Sequence, residues 1–502
     1  MELTLRHNPI FINETILEET VEQPVECDAL LPDYCPDIRR ILKCTLTPTV
    51  MNRTITAGRL EVEGLAELHI LYISAGGELA RGEYKVPFSR MMELHGEAAD
   101  PVITVTMTPG QESCRAVNQR RLDIRGSVLL HAAVTSCREE KVLCGCEETT
   151  LQLRRRQLCG TRLAGCMEKE QHLSQSTVLG GNGAPITRVL RTEARVTRCE
   201  EKQTPGRLTL RGEVEASALS ANEEGGWETS GCTMPFEIAL EAPGMPEDAP
   251  YDLRCMVSAV TAEPGTDEDG EYRSLDWSVT VQATAQYYLP YEATVCTDAY
   301  STRYESTYRT RTAQMVKLCN TVREAETWKE TLPLPEETEE LVALWLREEG
   351  CTAHPEGDGI TAEARLGLTM LARMADGELY SFDRTLEPQR HITAPEGARW
   401  GASLSCRGCQ WSTTGSELTL TCELCWRGAV CQTVRETMLE EITVEDRPKD
   451  NLMPRGLYIY MASPGESLWE IAKRYNTSEE KIREDNGEPG ENCAGGPLLI
   501  PV

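Results

Sequence analysis

Gly58-Arg59-Leu60-Glu61-Val62-Glu63-Gly64 and Gly206-Arg207-Leu208-Thr209-Leu210-Arg211-Gly212 are two versions of one phrase, set 148 positions apart. At the same offset Pro87-Phe88 falls on Pro235-Phe236, Gly77 on Gly225, and Ile38, Ile41 and Leu42 on Ile186, Val189 and Leu190. A register that survives that span without a gap marks an internal repeat. An offset of 300 brings in a third copy, placing Leu60 on Ile360, Val62 on Ala362 and Gly77-Glu78-Leu79 on Gly377-Glu378-Leu379. The third copy has Glu387-Pro388 where the others have Pro-Phe, and the second keeps Pro185-Ile186 and Val189-Leu190 of the segment before the phrase.

Each copy reads as mainly β. Leu60, Val62, Leu68, Ile70 and Tyr72 alternate with polar residues, as half-buried strands do, and Ala75-Gly76-Gly77 is a hairpin turn leading to Leu79 and on to Val86. A further strand pair is expected around Val102–Met107 and Leu122–Val128, echoed by Leu275–Val281 and Leu418–Cys422. Pro36 as a first helical residue, with Ile38, Ile41 and Leu42 behind it, predicts a short helix over 36–42. Gly180-Gly181-Asn182-Gly183 reads as a linker turn before the corresponding helix of the second copy. The reading is therefore a mainly β protein with three β-rich, sandwich-type repeat domains at 1–150, 151–325 and 326–445, an acidic linker from Glu440 to Arg455, and a small last domain at 456–502.

That last domain changes period. Tyr460-Met461-Ala462-Ser463-Pro464-Gly465-Glu466-Ser467 is a strand and turn, with Ser467 placed to cap a helix whose Leu468, Ile471, Ala472 and Tyr475 line one face. Ser478 caps a second helix with Ile482 as its apolar contact, Asn486-Gly487 ends it, and Leu498-Leu499-Ile500-Pro501 closes with a strand, giving a βααβ module.

Composition bounds what such a chain does. The 502 residues exceed one hydrophobic core, and a formal charge of −29 with pI near 4.8 argues against nucleic acid or an anionic membrane surface as a partner. The start, Met1-Glu2-Leu3-Thr4-Leu5-Arg6-His7, has no basic and apolar leader, and no run of eighteen apolar residues occurs, so a cytoplasmic protein without direct membrane insertion is expected. The 21 cysteines, an odd number scattered singly, fit a reducing compartment.

The βααβ segment resembles the LysM domain. Tyr460, Gly465, Leu468, Ile471, Ala472, Tyr475, Asn486, Gly495, Leu498, Ile500 and Pro501 fill that family's pattern, with Ala462, Glu466 and Ser467 replacing its Val, Asp and Thr. The resemblance implies a shallow groove for N-acetylglucosamine glycans formed by Gly465, Glu466, Ser467, Leu468 and Trp469 on one side and Asn486, Gly487, Asn492 and Cys493 on the other. The second loop is acidic and lacks an aromatic platform, so a protein-docking use of the same module stands beside peptidoglycan binding. Trp469 lies off the apolar stripe and reads as an exposed interface anchor. Leu31-Pro32-Asp33-Tyr34-Cys35-Pro36-Asp37-Ile38-Arg39-Arg40-Ile41-Leu42 and the segment ending in Pro87-Phe88 are similar to the SPOCS family of endospore-forming bacteria. SPOCS units followed by LysM resemble the SipL-like spore morphogenesis proteins. The resemblance implies a scaffold that works from the mother-cell cytosol at the forespore surface, with a spore coat basement-layer morphogenetic protein as partner.

Chemistry-bearing motifs are sparse. Cys406-Arg407-Gly408-Cys409 and Cys422-Glu423-Leu424-Cys425 have the spacing of a zinc ribbon, but Cys422 belongs to an alternating run that sends Cys425 to the opposite face. Gly126 and Val279 hold the equivalent position in the other copies, which favours a buried thiol. Cys144-Gly145-Cys146 reads as loop thiols. The seven histidines never pair at ligating or catalytic spacing, no phosphate-binding, zinc-protease or acyl-transfer motif occurs, and acidic runs such as Glu336–Glu340 read as solvated surface. No cofactor and no catalytic site are expected.

Overall fold

The computed structural model describes residues 3–179, 184–450, 452–487, 490 and 493–502. The first repeat is built from β1 (Leu5–Leu30), β2 (Ile38–Thr56), β3 (Arg59–Ser74), β4 (Leu79–Glu93), β5 (Val102–Ala116) and β6 (Arg121–Cys146). Two antiparallel sheets, ordered β2-β3-β4 and β1-β6-β5, enclose Leu46, Leu68, Ile70, Tyr72, Leu122 and Ile124 as a sandwich core. The second repeat repeats this order with β7 (Leu151–Val178), β8 (Ile186–Thr204), β9 (Arg207–Asn222), β10 (Trp227–Glu241), β11 (Tyr251–Gly265) and β12 (Ser274–Ser301). The third follows with β13 (Tyr304–Pro333), β14 (Thr338–Glu356), β15 (Gly359–Met374), β16 (Leu379–Leu386), β17 (Gln389–Thr393), β18 (Ala398–Trp400), β19 (Ser403–Thr414) and β20 (Glu417–Pro448).

The offsets read from the sequence hold in the strands. β2, β8 and β14 begin at 38, 186 and 338, and β3, β9 and β15 at 59, 207 and 359. Gly77, Gly225 and Gly377 turn the equivalent hairpins at φ +87°, +80° and +81°, where a side chain is strained. In the third repeat Glu387-Pro388 divides one strand into β16 and β17, because proline has no N–H for the ladder.

The helix expected over 36–42 is a strand. Ile38 pairs with Ser74 and Ile41 with Tyr72, and the register slips between Ile38 and Arg40 and again between Ile41 and Lys43. The same two slips recur in β8 and β14. Each bulge inserts a residue and resets the alternation, so apolar residues at 38, 41 and 42 imitate a helical spacing while remaining extended. The Gly180–Gly183 turn lies outside the described residues. Position 325–326 falls inside β13, so the pairing puts the seam between the second and third sets of strands at 302–303. Residues 440–448, expected as linker, belong to β20, with Ile442 and Val444 buried. Cys144 and Cys146 lie in β6 rather than in a loop, Cys146 opposite Leu5 and Cys144 at the register slip between Arg6 and His7.

The first and last strands of each repeat outrun the sandwich. β1 and β6 have 26 residues each, β7 and β12 have 28, and β13 and β20 have 30 and 32. Their overhanging ends form three two-stranded ribbons that pack on one another through Ile10 and Val142, Leu158 and Val295, and Met315 and Met438. A second layer joins Leu143, Leu151, Cys296, Ala299, Leu439 and Ile442. Between the sandwiches, repeat-equivalent residues meet in one cluster: Leu71, Leu219 and Leu371, Leu79, Trp227 and Leu379, and Leu42, Leu190 and Val342.

Polar contacts line the seams around that cluster. Glu201 of the second repeat receives Arg427 at 2.5 Å and Arg323 at 3.1 Å from the third, together with the Tyr251 hydroxyl at 2.8 Å. Lys43 meets Asp383 at 2.9 Å between the first and third repeats, and Asn13 donates to the Thr161 carbonyl at 2.6 Å between the first and second.

Two outcomes follow from this packing. Leu371→Ala empties a fully buried site shared by all three repeats, and a urea titration is expected to show a loss of about 2–5 kcal/mol. For Glu201, burial pushes the carboxyl up, but Arg427, the Tyr251 hydroxyl and Arg323 outweigh it and hold the group below the ordinary carboxylate range. A lowered folded-state value contributes stability above the unfolded value and loses it as pH falls through the folded one. The urea midpoints of the wild type and Glu201→Gln are therefore expected to differ at neutral pH and to converge as pH drops below the usual glutamate range.

Candidate functional site

After β20 the chain forms β21 (Leu457–Ala462), α1 (Leu468–Tyr475), α2 (Glu479–Asp485) and β22 (Gly496–Pro501), with β21 and β22 antiparallel. Leu468, Ile471, Ala472, Ile482, Leu498 and Ile500 close its core. Ser467 occupies the N-cap position of α1 in extended conformation but makes no side-chain capping bond, whereas Ser478 accepts from the Lys481 N–H at 3.3 Å. Asn476 ends α1 in the left-handed region, and Gly487 follows α2 at φ +69°.

The two loops expected to form a groove are laced to each other. The Gly465 N–H donates to the Cys493 carbonyl at 2.8 Å, and the Cys493 N–H donates to the Glu466 carbonyl at 2.9 Å. The Glu466 carboxylate turns back on its own loop, accepting from the Tyr460 hydroxyl at 2.7 Å and the Ser463 N–H at 3.1 Å, with Arg474 at 3.5 Å. The Tyr460 hydrogen bond, first among these contacts, holds Glu466 below its ordinary range. Asn486 is consumed by the fold: its amide donates to the Ile482 and Leu499 carbonyls and accepts from the Leu499 N–H, each at 2.7 Å. This side chain acts as a strand partner for β22 and has no amide hydrogen left for a ligand. Asn492 lies outside the described residues.

Trp469 is not an exposed anchor. It is 5% exposed, its indole donates to Asp298 at 2.7 Å, and its ring stands edge-on to Tyr300 with centroids 4.9 Å apart. Lys473, one turn later, reaches both Asp298 oxygens at 2.9 Å and the Tyr308 hydroxyl at 3.3 Å. The Tyr300 hydroxyl donates to the Thr477 carbonyl at 2.8 Å, and Lys449 donates to Asn476 at 2.6 Å. Trp469 and Lys473 of α1 are thus spent on the ribbon tip formed by the end of β12 and the start of β13. Burial pushes Asp298 up, but the bonds from Lys473 and Trp469 outweigh it and keep the carboxylate ionised below its ordinary value.

A different surface is left open. Leu457, Ile459 and Met461 point away from the core and are 59%, 73% and 67% exposed. Across the ladder they face Pro501, Leu499 and Pro497, so the outer side of this two-stranded sheet is apolar throughout. The sequence carries a signal for it, since β21 has apolar or aromatic residues on both faces.

The four cysteines with ribbon spacing do not share a site. The Cys422 thiol donates to Cys409 at 3.3 Å and contacts Cys406, whereas Cys425, three residues on in the same strand, lies on the other face beside Arg427. Among the described residues no three His, Cys, Asp or Glu side chains converge in a metal-holding arrangement.

Residues 37–116, from the start of β2 to the end of β5, match the family model described as SipL, SPOCS domain, and residues 460–491 match that of the LysM domain. The two matched segments lie in the order in which the sequence resembles a SPOCS unit and a LysM domain. The first family is tied to sporulation and the second to peptidoglycan-type glycans. Both are non-catalytic families. No curated protein and no solved structure matches the chain. Among the described residues no helix is long and apolar enough to cross a membrane.

Asp298→Ala removes the acceptor shared by Trp469 and Lys473 and leaves Lys473 without its carboxylate. Docking of the LysM domain is expected to weaken by about 1–3 kcal/mol. Trypsin cleavage in the Lys449–Arg455 stretch is then expected to accelerate by roughly tenfold or more, read from the rate at which the LysM fragment is released.

Proposed function

We propose that this SPOCS and LysM protein is a non-enzymatic scaffold of the endospore envelope, docking a coat basement-layer morphogenetic protein through its LysM domain at the forespore surface. The observation that carries the reading is the outer sheet face of Leu457, Ile459 and Met461 with Pro497, Leu499 and Pro501. An apolar, strongly exposed strand face suits a protein surface, where its burial removes apolar area from water. It suits a sugar poorly, because glycan recognition needs free hydrogen-bonding groups. The loops that would supply those groups in a LysM groove have spent much of their capacity: Asn486 on Leu499 and Ile482, Glu466 on Tyr460 and Ser463. The three-repeat body contributes a mount. Trp469, Lys473 and Tyr300 hold the LysM domain at the ribbon tip, so the apolar face is presented in a set orientation and less is lost on ordering it when the partner binds.

The family match itself favours a second reading, in which the LysM domain binds peptidoglycan-type glycan. The two separate cleanly. Full-length protein immobilised and exposed to an extract of sporulating cells is expected to retain a coat basement-layer protein, identified by mass spectrometry. Ile459→Asp with Met461→Asp should cut that retention at least tenfold with the circular dichroism unchanged. Sedimentation with purified peptidoglycan should be weak, and unaffected by the same pair. Strong sedimentation would replace docking with the glycan reading, and retention of the coat protein that ignores the two changes would move docking away from this face.

A further inference from the structure

Each repeat holds a pair of neighbouring thiols. In the third, Cys409 on β19 and Cys422 on β20 are opposed residues of one antiparallel ladder, with their sulfurs 3.3 Å apart. In the first, Cys114 of β5 packs on the core cluster that holds Cys44 of β2, and in the second Cys199 of β8 and Cys255 of β11 pack on one core cluster, each thiol close enough to shift its partner's titration. The first two pairs join the two sheets of a sandwich, since β2 and β5, like β8 and β11, belong to different sheets. The pairs are not repeat-equivalent: the offset of 148 carries Cys44 to Thr192 and not to Cys199. The three pairs occupy different positions of the repeat.

All three are built for exchange. Cys114, Cys199 and Cys409 are partly exposed, while Cys44 and Cys422 are buried behind their partners. The hydrogen bond donated by Cys422 holds Cys409 below the usual thiol range, and the neighbouring thiols Cys44 and Cys255 shift Cys114 and Cys199 in the same direction. Two sulfurs on adjoining or facing strands, one of them reachable and activated, are the arrangement in which thiol–disulfide exchange runs to an internal bridge.

We propose that these three pairs are closable staples: in the presence of a low-molecular-weight disulfide such as glutathione disulfide, Cys409–Cys422, Cys44–Cys114 and Cys199–Cys255 form disulfides within the folded protein. The Cys409 thiolate attacks one sulfur of the oxidant, forming a mixed disulfide and expelling the first thiol. Cys422, losing its proton, attacks the Cys409 sulfur and expels the second. Two protein thiols are oxidised, the disulfide is reduced to two thiols, and the two protein protons end on the released thiols. The same sequence applies to Cys114 with Cys44 and to Cys199 with Cys255. Cys406 also touches the Cys422 sulfur, but its own hydrogen is directed to the Gly408 carbonyl at 3.4 Å, and Cys409 is the residue opposite Cys422 in the ladder. The product would lock both sheets of the first two sandwiches and the last hairpin of the third.

The test uses reduced, folded, full-length wild-type protein incubated with glutathione disulfide, then alkylated and digested for mass spectrometry. The expected result is three cross-linked peptides joining 44 to 114, 199 to 255 and 409 to 422, with the remaining cysteines alkylated and the thermal midpoint raised until dithiothreitol is added. Cys406→Ala should leave the 409–422 link intact, and Cys422→Ala should leave glutathione attached at Cys409. Persistent glutathione adducts on the wild-type Cys114, Cys199 and Cys409, a 406–422 link in place of 409–422, or alkylation of both members of each pair at the rate of other partly exposed thiols would overturn the proposal.

Discussion

Leu71, Leu219 and Leu371 meet at one point between the sandwiches, with Leu79, Trp227 and Leu379 beside them, and every larger feature of the body is organised around that contact. These residues sit on the sheet face turned away from each sandwich core, so a single repeat would leave them in water. Three copies solve that together, each covering the others, and the same logic governs the ribbons, whose inner residues Ile10, Leu158 and Met315 have no sheet of their own to pack against. The repeats are bound into one body by apolar surface that none can bury alone.

This constraint reaches the LysM domain. Because the ribbons bundle, the end of β12 and the start of β13 are held side by side, which brings Asp298, Tyr300 and Tyr308 into one receptor for Trp469 and Lys473. A tryptophan that looks like an interface anchor in the isolated helix becomes an anchor within the chain. The apolar outer face of β21 and β22 stays exposed. Family resemblance points to a groove between loops, and here those loops are bonded to each other through Gly465, Glu466 and Cys493.

Buried charge follows the seams. Glu201 gathers Arg427, Arg323 and Tyr251 across the junction of the second and third repeats, a geometry that satisfies the carboxylate from several directions. Such a group specifies one register of approach, since a shift of one strand position would leave it buried and unpaired.

The repeat, its offsets of 148 and 300, the β class, the turn glycines and the βααβ order are all legible in the chain, because alternation, glycine at positive φ and helix punctuation are local properties. Local reading also carries the separation of Cys425 from Cys422, which needs only the period of a strand. It fails at 36–42, where paired bulges turn a strand's pattern into a helix's, and at 440–448, where acidic residues conceal a strand whose Ile442 and Val444 meet the other ribbons. That the three copies share a core, that Trp469 faces Asp298 and that Asn486 is spent on Leu499 are settled by the assembled fold alone. Each of those is a contact between residues far apart in the chain or on separate elements, and the position of a distant partner is not encoded in the spacing of neighbours.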